Sequence, residues 1–326
     1  MTEILPGNFG VSLLTRGTGF VETGKSWLLH NGLGSSPGPL ILEKNLLKGL
    51  KKIGAEFNID PENSGLFSNI CILRSLKTLQ RIKNFPKKNL NLIVGPNLKA
   101  QDMAKFESLG VFPKFFLAPS LEVKKAYEYY GVPKEKIIVW PVGIDTECFK
   151  DTSEDLKFFD ALVYFKRRRK PELEEVLCLL KNYNQTFRLL EYGKYSPKEL
   201  HLACSQCKYS VVLDGTESQG IAIESIMSSN LPMFVLDQIY LGEFEDLKIQ
   251  ESLQVTSVPY WGEMCGIKVL TDSFGKSPFG HIEIAKANLQ FEVFLKSLKS
   301  FQPRKYILKN LTLEKQAQEF LNIFKI

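Results

Sequence analysis

One stretch of the sequence combines carboxylates and a glycine at a spacing suited to binding a phosphorylated ligand. The run Leu213-Asp-Gly-Thr-Glu-Ser-Gln-Gly220 leads from an apolar segment into a segment with helical character that contains Glu224 and Ser225. The first turn of a helix carries unpaired N–H groups and a partial positive charge, so it favours an anion such as a phosphate. Gly220 lets a ligand approach the backbone closely, and Glu217 can accept hydrogen bonds from sugar hydroxyls. An ordinary strand–loop–helix unit with an exposed acidic loop explains the same spacing equally well.

A basic run follows an apolar segment in the same half of the chain. Lys166-Arg-Arg-Arg-Lys170 comes directly after Ala161–Phe165, which is predicted to be a strand. Fixed cations at the end of a strand would stabilise a departing diphosphate. We select Lys166 and Arg168 because alternate residues leaving a strand point the same way. A solvated face or a nucleic-acid patch is the alternative, but few aromatic residues accompany the run and no nucleic-acid-binding motif is recognised.

Other kinds of site are not indicated by the sequence. No Asp-x-Asp stands at the end of a predicted strand, which disfavours a metal-chelated diphosphate. Cys204 and Cys207 form one C-x-x-C without further ligands, so reduced thiols are favoured over a zinc site. The three histidines are far apart, and there is no G-x-S-x-G nucleophile elbow. We therefore predict no metal site.

The elements that must position these residues follow an α/β pattern, in which short apolar runs alternate with amphipathic segments. In the first half the predicted strands are Ser26–His30, Leu90–Val94, Phe115–Ala118 and Lys136–Trp140. In the second half they are Ala161–Phe165, Thr186–Leu190, Tyr209–Leu213 and Pro232–Leu236. The polar segment 150–158 separates the halves, so we expect one domain over 1–150 and a second over 151–311. The helix 312–326 is expected to pack back on the first domain.

The acidic stretch resembles the signature of the family-four retaining glycosyltransferases (glycosyl transferases group 1). Glu217, Gly220, Met227 and Pro232 fall into that register. A second stretch, from Leu117 to Phe149, resembles the inter-domain segment of the same family. The chain also departs from the signature at a few positions, and these are Gln219 in place of an aromatic residue, Asn230 in place of a glycine, and Ser225 in place of the second glutamate, with Glu224 one residue early.

The resemblance implies a GT-B fold, with two tandem Rossmann-like, doubly wound parallel-sheet domains facing across a cleft. The acceptor would bind the N-terminal domain and the donor the C-terminal one. Glu217 would orient the donor sugar, Lys166 and Arg168 would neutralise the diphosphate, and either Glu224 or Ser225 would hold the ribose. Further expected positions are Gly220, Ile221, Gly193 and Tyr195 for the donor, Asn31, Gly32 and Gly34 for the acceptor or inter-domain loop, and Gly143 and Asp145 for a hinge.

The implied activity is retaining, metal-independent hexosyl transfer from a nucleotide-sugar to a hydroxyl of a glycan, lipid or other acceptor. The nucleotide-sugar is a substrate, so no cofactor is expected. The alternative is a non-catalytic nucleotide-sugar or glycan binding protein on the same fold, an alternative motivated by Ser225. A net charge of +6 allows contact with an anionic membrane surface but does not imply a nucleic-acid partner. Because Met1–Gly10 lacks a signal-peptide pattern, we expect a cytoplasmic protein, with contact at the membrane surface allowed.

Overall fold

The computed structural model describes residues 10–15, 38–59, 68–73, 91–96, 106, 112–238, 253–271 and 284–326. In chain order, the elements are β1 (Gly10–Leu14), α1 (Gly38–Lys52), β2 (Glu56–Ile59), β3 (Asn69–Ile72), β4 (Asn91–Val94), β5 (Phe115–Ala118), α2 (Leu121–Tyr129), β6 (Ile137–Val139), β7 (Phe159–Lys166), α3 (Lys170–Asn182), β8 (Phe187–Glu191), α4 (Pro197–Gln206), β9 (Cys207–Asp214), α5 (Ile221–Ser228), β10 (Met233–Gln238), β11 (Gly266–Thr271), α6 (Ile284–Ser297), α7 (Pro303–Asn310) and α8 (Leu313–Ile323). They form two compact units, and the chain passes from the first to the second between Gly143 and Ile144.

The first unit is built on a six-stranded parallel sheet in the order β2-β1-β3-β4-β5-β6. The chain returns to this unit at Leu313, and α8 packs against α1. The Trp140 indole is buried, donates a hydrogen bond to the Gln316 carbonyl at 2.9 Å, and lies 5.1 Å from the Phe320 ring. Gly49 has no room for a side chain, because a Cβ there would lie 2.6 Å from the Leu313 carbonyl oxygen.

The second unit is built on a five-stranded parallel sheet in the order β11-β10-β9-β7-β8. Successive residues of β7 enter two different cores, because side chains alternate across a sheet. Leu162 and Tyr164 belong to the core that includes residues of α4 and α5, whereas Val163 and Phe165 belong to the core that includes residues of α3 and α6. Helices therefore cover both faces of this sheet, as in doubly wound folds.

The α/β prediction with two tandem Rossmann-like parallel sheets is confirmed. The predicted strand Ser26–His30 lies outside the described residues. Four strands that the apolar runs did not reveal are present, namely β1, β2, β3 and β11. Among the helices of the described residues, none combines the length and the apolar character needed to cross a bilayer.

Candidate functional site

A buried cluster of one lysine and two carboxylates lies at the carboxyl ends of the two central strands of the second unit. Lys166 ends β7 and Asp214 ends β9, and the two residues are directly paired in the sheet register. The Lys166 Nζ donates a hydrogen bond to Oε1 of Glu217 and lies 3.7 Å from Oδ2 of Asp214. Lys166 is 6% exposed, Glu217 is 9% exposed and Asp214 is 0% exposed. The same Nζ lies 4.5 Å from the centre of the Tyr192 ring.

The electrostatics of the cluster favour a proton on Asp214. Burial is the main cause that raises the pKa of Asp214 well above its ordinary value, and the neighbouring charge of Glu217 raises it further. Lys166 opposes both effects. When Asp214 is protonated, Lys166 and Glu217 remain as one charge-neutral ion pair. The sequence analysis did not select Asp214, although its position at the end of an apolar strand was a usable signal.

The backbone of the acidic loop is held on two sides. The Gly215 N–H donates to the Lys166 carbonyl at 3.0 Å, and a Cβ on Gly215 would lie 2.5 Å from the Arg167 carbonyl oxygen. The loop therefore runs directly against the turn that follows β7. Two residues later, the Glu217 N–H donates to the Thr256 carbonyl at 3.1 Å. These contacts fix the position from which the Glu217 side chain reaches Lys166.

The helix α5 begins beside Glu217. Gly220 has φ 95° and ψ 39°, a left-handed conformation that costs little for glycine. Its carbonyl accepts the Glu224 N–H at 2.9 Å, and Ile221 is the first helical residue. A Cβ on Gly220 would lie 3.7 Å from Cγ of Glu217. The structure thus brings the predicted residues Glu217, Gly220 and Ile221 together, with Lys166, at one edge of the sheet.

The two candidates for the second glutamate position have different surroundings. The Ser225 hydroxyl donates to the Ile221 carbonyl at 2.7 Å, so it is engaged within α5 itself. Glu224 is 1% exposed, and its Oε2 accepts a hydrogen bond from Nε2 of Gln219 at 2.9 Å. Burial raises the pKa of Glu224 well above its ordinary value, the Gln219 amide opposes this effect, and the charge of Glu217 adds to it. Glu224 is therefore linked to the acidic loop, whereas Ser225 is linked to its own helix.

Arg168 is buried beneath the strand ends and is bonded to protein atoms. Its side chain is 2% exposed and donates to the Glu172 carboxylate at 2.8 and 3.2 Å. It also donates to the carbonyls of Asp214 and Leu236, at 3.2 and 3.3 Å, so it joins the ends of β9 and β10. The alternation used to select Arg168 together with Lys166 does not hold beyond the strand. The strand β7 ends at Lys166, and Arg167 has φ 51°.

Gly193 and Tyr195 follow β8. Gly193 has φ 82°, and the Tyr195 hydroxyl lies 3.4 Å from the buried hydroxyl of Tyr164. Burial is the largest cause that raises the pKa of Tyr195, and the charge of Glu217 contributes to the increase. The Tyr195 ring thus lies within electrostatic reach of the cluster.

The predicted hinge residues stand at the division between the units. The Gly143 carbonyl accepts a hydrogen bond from Nδ2 of Asn45 at 2.8 Å, within the first unit. The Asp145 carboxylate accepts the Cys148 N–H at 3.1 Å, within the second unit. The predicted acceptor loop, with Asn31, Gly32 and Gly34, lies outside the described residues.

No arrangement suited to a metal ion occurs among the described histidine, cysteine, aspartate and glutamate side chains. Cys204 lies in α4 and Cys207 begins β9, and both are buried. Burial raises the pKa of each of these thiols to about 12, so both are protonated at neutral pH.

Comparison with known proteins identifies the fold. No family model and no curated protein matches the sequence. Among solved structures, sucrose-phosphate synthase from Thermosynechococcus elongatus is similar at a TM-score of 0.57 and 10% identity, over 97% of this chain and 98% of that one. HepE from Anabaena, in complex with UDP and glucose, is similar at a TM-score of 0.57 and 10% identity, over 97% of this chain and 99% of that one. The lipopolysaccharide outer core galactosyltransferase WaaB is similar at a TM-score of 0.52 and 10% identity, over 97% of this chain and 100% of that one. The chain has the GT-B fold.

The position of the cluster matters in a GT-B chain because open parallel sheets bind ligands beyond the carboxyl ends of their strands. Lys166, Asp214 and the start of α5 all lie at that edge of the second sheet. A cation and the N-terminal turn of a helix suit an anionic ligand, and the carboxylate of Glu217 suits hydroxyl donors. The edge therefore offers chemistry for a ligand that carries both phosphate and hydroxyl groups.

Proposed function

We propose that this chain is a retaining, family-four-like glycosyltransferase that transfers a hexosyl group from a nucleotide-diphosphate-sugar to an acceptor hydroxyl. The donor binds the second unit, and a glycan or lipid-linked acceptor binds the first. The observation that carries the proposal is the meeting of Lys166 and Glu217 at the sheet edge where α5 begins with Gly220. The similarity to GT-B structures supports it through the fold.

Donor binding changes the partner of Lys166. In the free protein the ammonium is paired with Glu217. When a diphosphate occupies the start of α5, Lys166 turns to its oxygens, and Glu217 is released to accept hydrogen bonds from the sugar hydroxyls. The bond between the anomeric carbon and the leaving phosphate oxygen then breaks through an oxocarbenium-like transition state. The acceptor oxygen bonds to the same face of that carbon, which retains the configuration, and its proton passes to the leaving phosphate oxygen. Lys166 and the N–H groups of α5 stabilise the negative charge on the leaving diphosphate, so the reaction needs no metal ion.

The remaining predicted residues take supporting roles in this proposal. Glu224, and not Ser225, holds the ribose, because the Ser225 hydroxyl already donates to the Ile221 carbonyl. Arg168 acts on the site by joining strand ends beneath it and has no direct contact with the diphosphate. Gly193 and Tyr195 line the nucleotide side, and Gly143 and Asp145 absorb domain motion. We further propose a cytoplasmic enzyme with no nucleic-acid partner and no cofactor, and with peripheral contact to the membrane surface allowed.

The first test is a thermal-shift panel with UDP, GDP, ADP and CMP, each with EDTA and with magnesium. UDP comes first because HepE was solved with UDP and with UDP-glucose. A ligand at a hundredfold excess over its Kd stabilises the protein by about 2.7 kcal/mol. We expect stabilisation by one nucleoside diphosphate in both EDTA and magnesium. If none of the nucleotides changes the thermal stability, and calorimetry also detects no binding, the proposal is refuted.

Matched variants connect the binding to the cluster. Lys166→Ala should weaken nucleotide binding strongly, whereas Lys198→Ala, at an exposed position of α4, should leave it unchanged. Glu217→Gln should reduce turnover by about 100-fold or more while the nucleotide still binds, and Glu154→Gln at an exposed position is its control. NMR of the first-formed product should show the anomeric configuration of the donor. Nucleotide binding without transfer or donor hydrolysis would favour the non-catalytic binding protein.

A further inference from the structure

Gln219 and Glu224 form a buried side-chain pair between the acidic loop and α5. Gln219 is 3% exposed and Glu224 is 1% exposed, and the Gln219 amide donates to Oε2 of Glu224 at 2.9 Å. Both positions depart from the signature that the acidic stretch resembles. The two departures are therefore in direct contact with each other.

The other carboxylate oxygen of Glu224 is the feature that needs an explanation. Within the described part of the chain, Oε1 of Glu224 is buried and has no hydrogen-bond partner. A buried carboxylate oxygen without a donor is costly, so an unsatisfied oxygen of this kind calls for an explanation. Because the Gln219 amide holds Oε2, the orientation of the carboxylate is constrained and Oε1 is the oxygen that remains without a donor.

The charged groups around Glu224 do not provide that partner. Glu217, on the same loop as Gln219, carries charge of the same sign and disfavours ionisation of Glu224. Tyr306 on α7 interacts electrostatically with Glu224. Arg304, also on α7, donates to the carbonyl of Ser228, at the far end of α5, and to the carbonyl of Phe149. On α4, the His201 ring contacts the Phe149 ring.

We propose that Gln219 is a positioning residue that holds the Glu224 carboxylate so that its Oε1 accepts a hydrogen bond from a ribose hydroxyl of the bound nucleotide. The inference rests on the proposed function, and it adds a residue that acts through another. Gln219 contacts no reacting atom in this role. Its amide holds one oxygen of Glu224 and leaves the other for the ligand, and it opposes, without cancelling, the rise in the pKa of Glu224 that burial causes.

The first experiment measures the pair without any ligand. The titration of Glu224 is followed by carbon-13 NMR of labelled glutamate carboxyls in the full chain, with the signal assigned through Glu224→Gln. Gln219→Leu should move the titration of Glu224 to higher pH, because the amide favours the charged form. Gln318→Leu is the matched control, since that glutamine is exposed and bonds to Asn322 on α8. Gln219→Met replaces the leucine variant if the latter does not fold. An unchanged titration overturns the inference.

The second experiment tests whether Oε1 of Glu224 binds the ribose hydroxyls. Calorimetry compares UDP with its 2′,3′-dideoxy analogue on the wild-type chain, on Gln219→Leu and on Gln318→Leu. The wild type should prefer UDP by about 5-fold or more, the expected net effect of one hydrogen bond. Gln219→Leu should remove most of this preference, and Gln318→Leu should retain it. An undiminished preference in Gln219→Leu overturns the inference even if the titration moves.

The two experiments separate the inference from the proposed function. If the wild-type chain binds none of the four nucleotides, the proposed function fails and the ribose role fails with it. If the wild type binds UDP but the titration of Glu224 is insensitive to Gln219, only the inference fails.

Discussion

Replacing Lys166 by methionine should expose the electrostatic cost of the buried cluster. Methionine keeps the length of the side chain and removes its charge, so Asp214 and Glu217 remain buried without their cation. Removing one partner of a buried ion pair costs about 3–5 kcal/mol, and the burial of all three side chains places this site in that class. The cost depends on pH, because Asp214 can escape part of it by holding a proton.

The direction of the pH dependence follows from the pKa of Asp214. Burial and Glu217 raise that pKa, and Lys166 opposes the increase, so the variant raises it further. A carboxyl whose pKa is higher in the folded state binds more protons folded than unfolded, and stability then falls as pH increases. The window begins near 3.8, the ordinary aspartate value, and extends to the raised pKa of Asp214. The loss of stability in Lys166→Met should therefore be smaller at pH 5 than at pH 8.

The assay is urea denaturation of the full chain at pH 5 and pH 8, with Lys198→Met on the exposed face of α4 as the control. We expect the control to stay within about 0.5 kcal/mol of the wild type at both pH values. A loss in Lys166→Met that is equal at the two pH values, or no larger than that of the control, would refute the electrostatic account of the cluster.

Three further predictions concern stability. Gly220→Ala should destabilise the chain by about 1–2 kcal/mol, because residue 220 has a φ of 95°. Gly220→Asn should cost less, since asparagine tolerates the left-handed region. Denaturant titration compares the two variants. Arg168→Met should cost about 3 kcal/mol, because the buried Glu172 carboxylate loses its closest cation and keeps only its contacts with Arg169, and Arg169→Met, at a side chain with 33% exposure, should cost far less by the same measurement. Trp140→Phe should cost about 1 kcal/mol and hasten protease cleavage before α8, because the hydrogen bond to the Gln316 carbonyl is lost.

The sequence predicts the second sheet better than the first. Strands such as Tyr209–Leu213 are apolar runs interrupted only by Ser210, as expected of central parallel strands buried on both faces, and the structure extends that strand by only a few residues. By contrast, β2 (Glu56–Ile59) is an edge strand of mixed polarity, and β3 (Asn69–Ile72) is only four residues long. Short runs of this kind carry too little periodic signal to be recognised.

The residue types at the candidate site could be predicted, but their pairings could not. Lys166 stands at a strand end, Gly220 stands at a helix start, and Glu217 lies in the loop between a strand and a helix, where chemistry is expected. The contact between Gln219 and Glu224 depends on how the loop turns before α5, and the burial of Arg168 depends on where β7 ends. Both are properties of the backbone path, which the spacing of residue types does not encode.

The return of α8 to the first unit constrains the order of assembly during synthesis. The ribosome delivers residues N-terminal first, and domains generally fold as they emerge. The first unit cannot bury Trp140, or the side of α1 that contains Gly49, until α8 (Leu313–Ile323) has been made, because α8 packs against both. The whole second unit is therefore synthesised while the first unit still exposes the apolar surface that α8 later covers. A nascent chain stalled before residue 313 should bind chaperones through that surface.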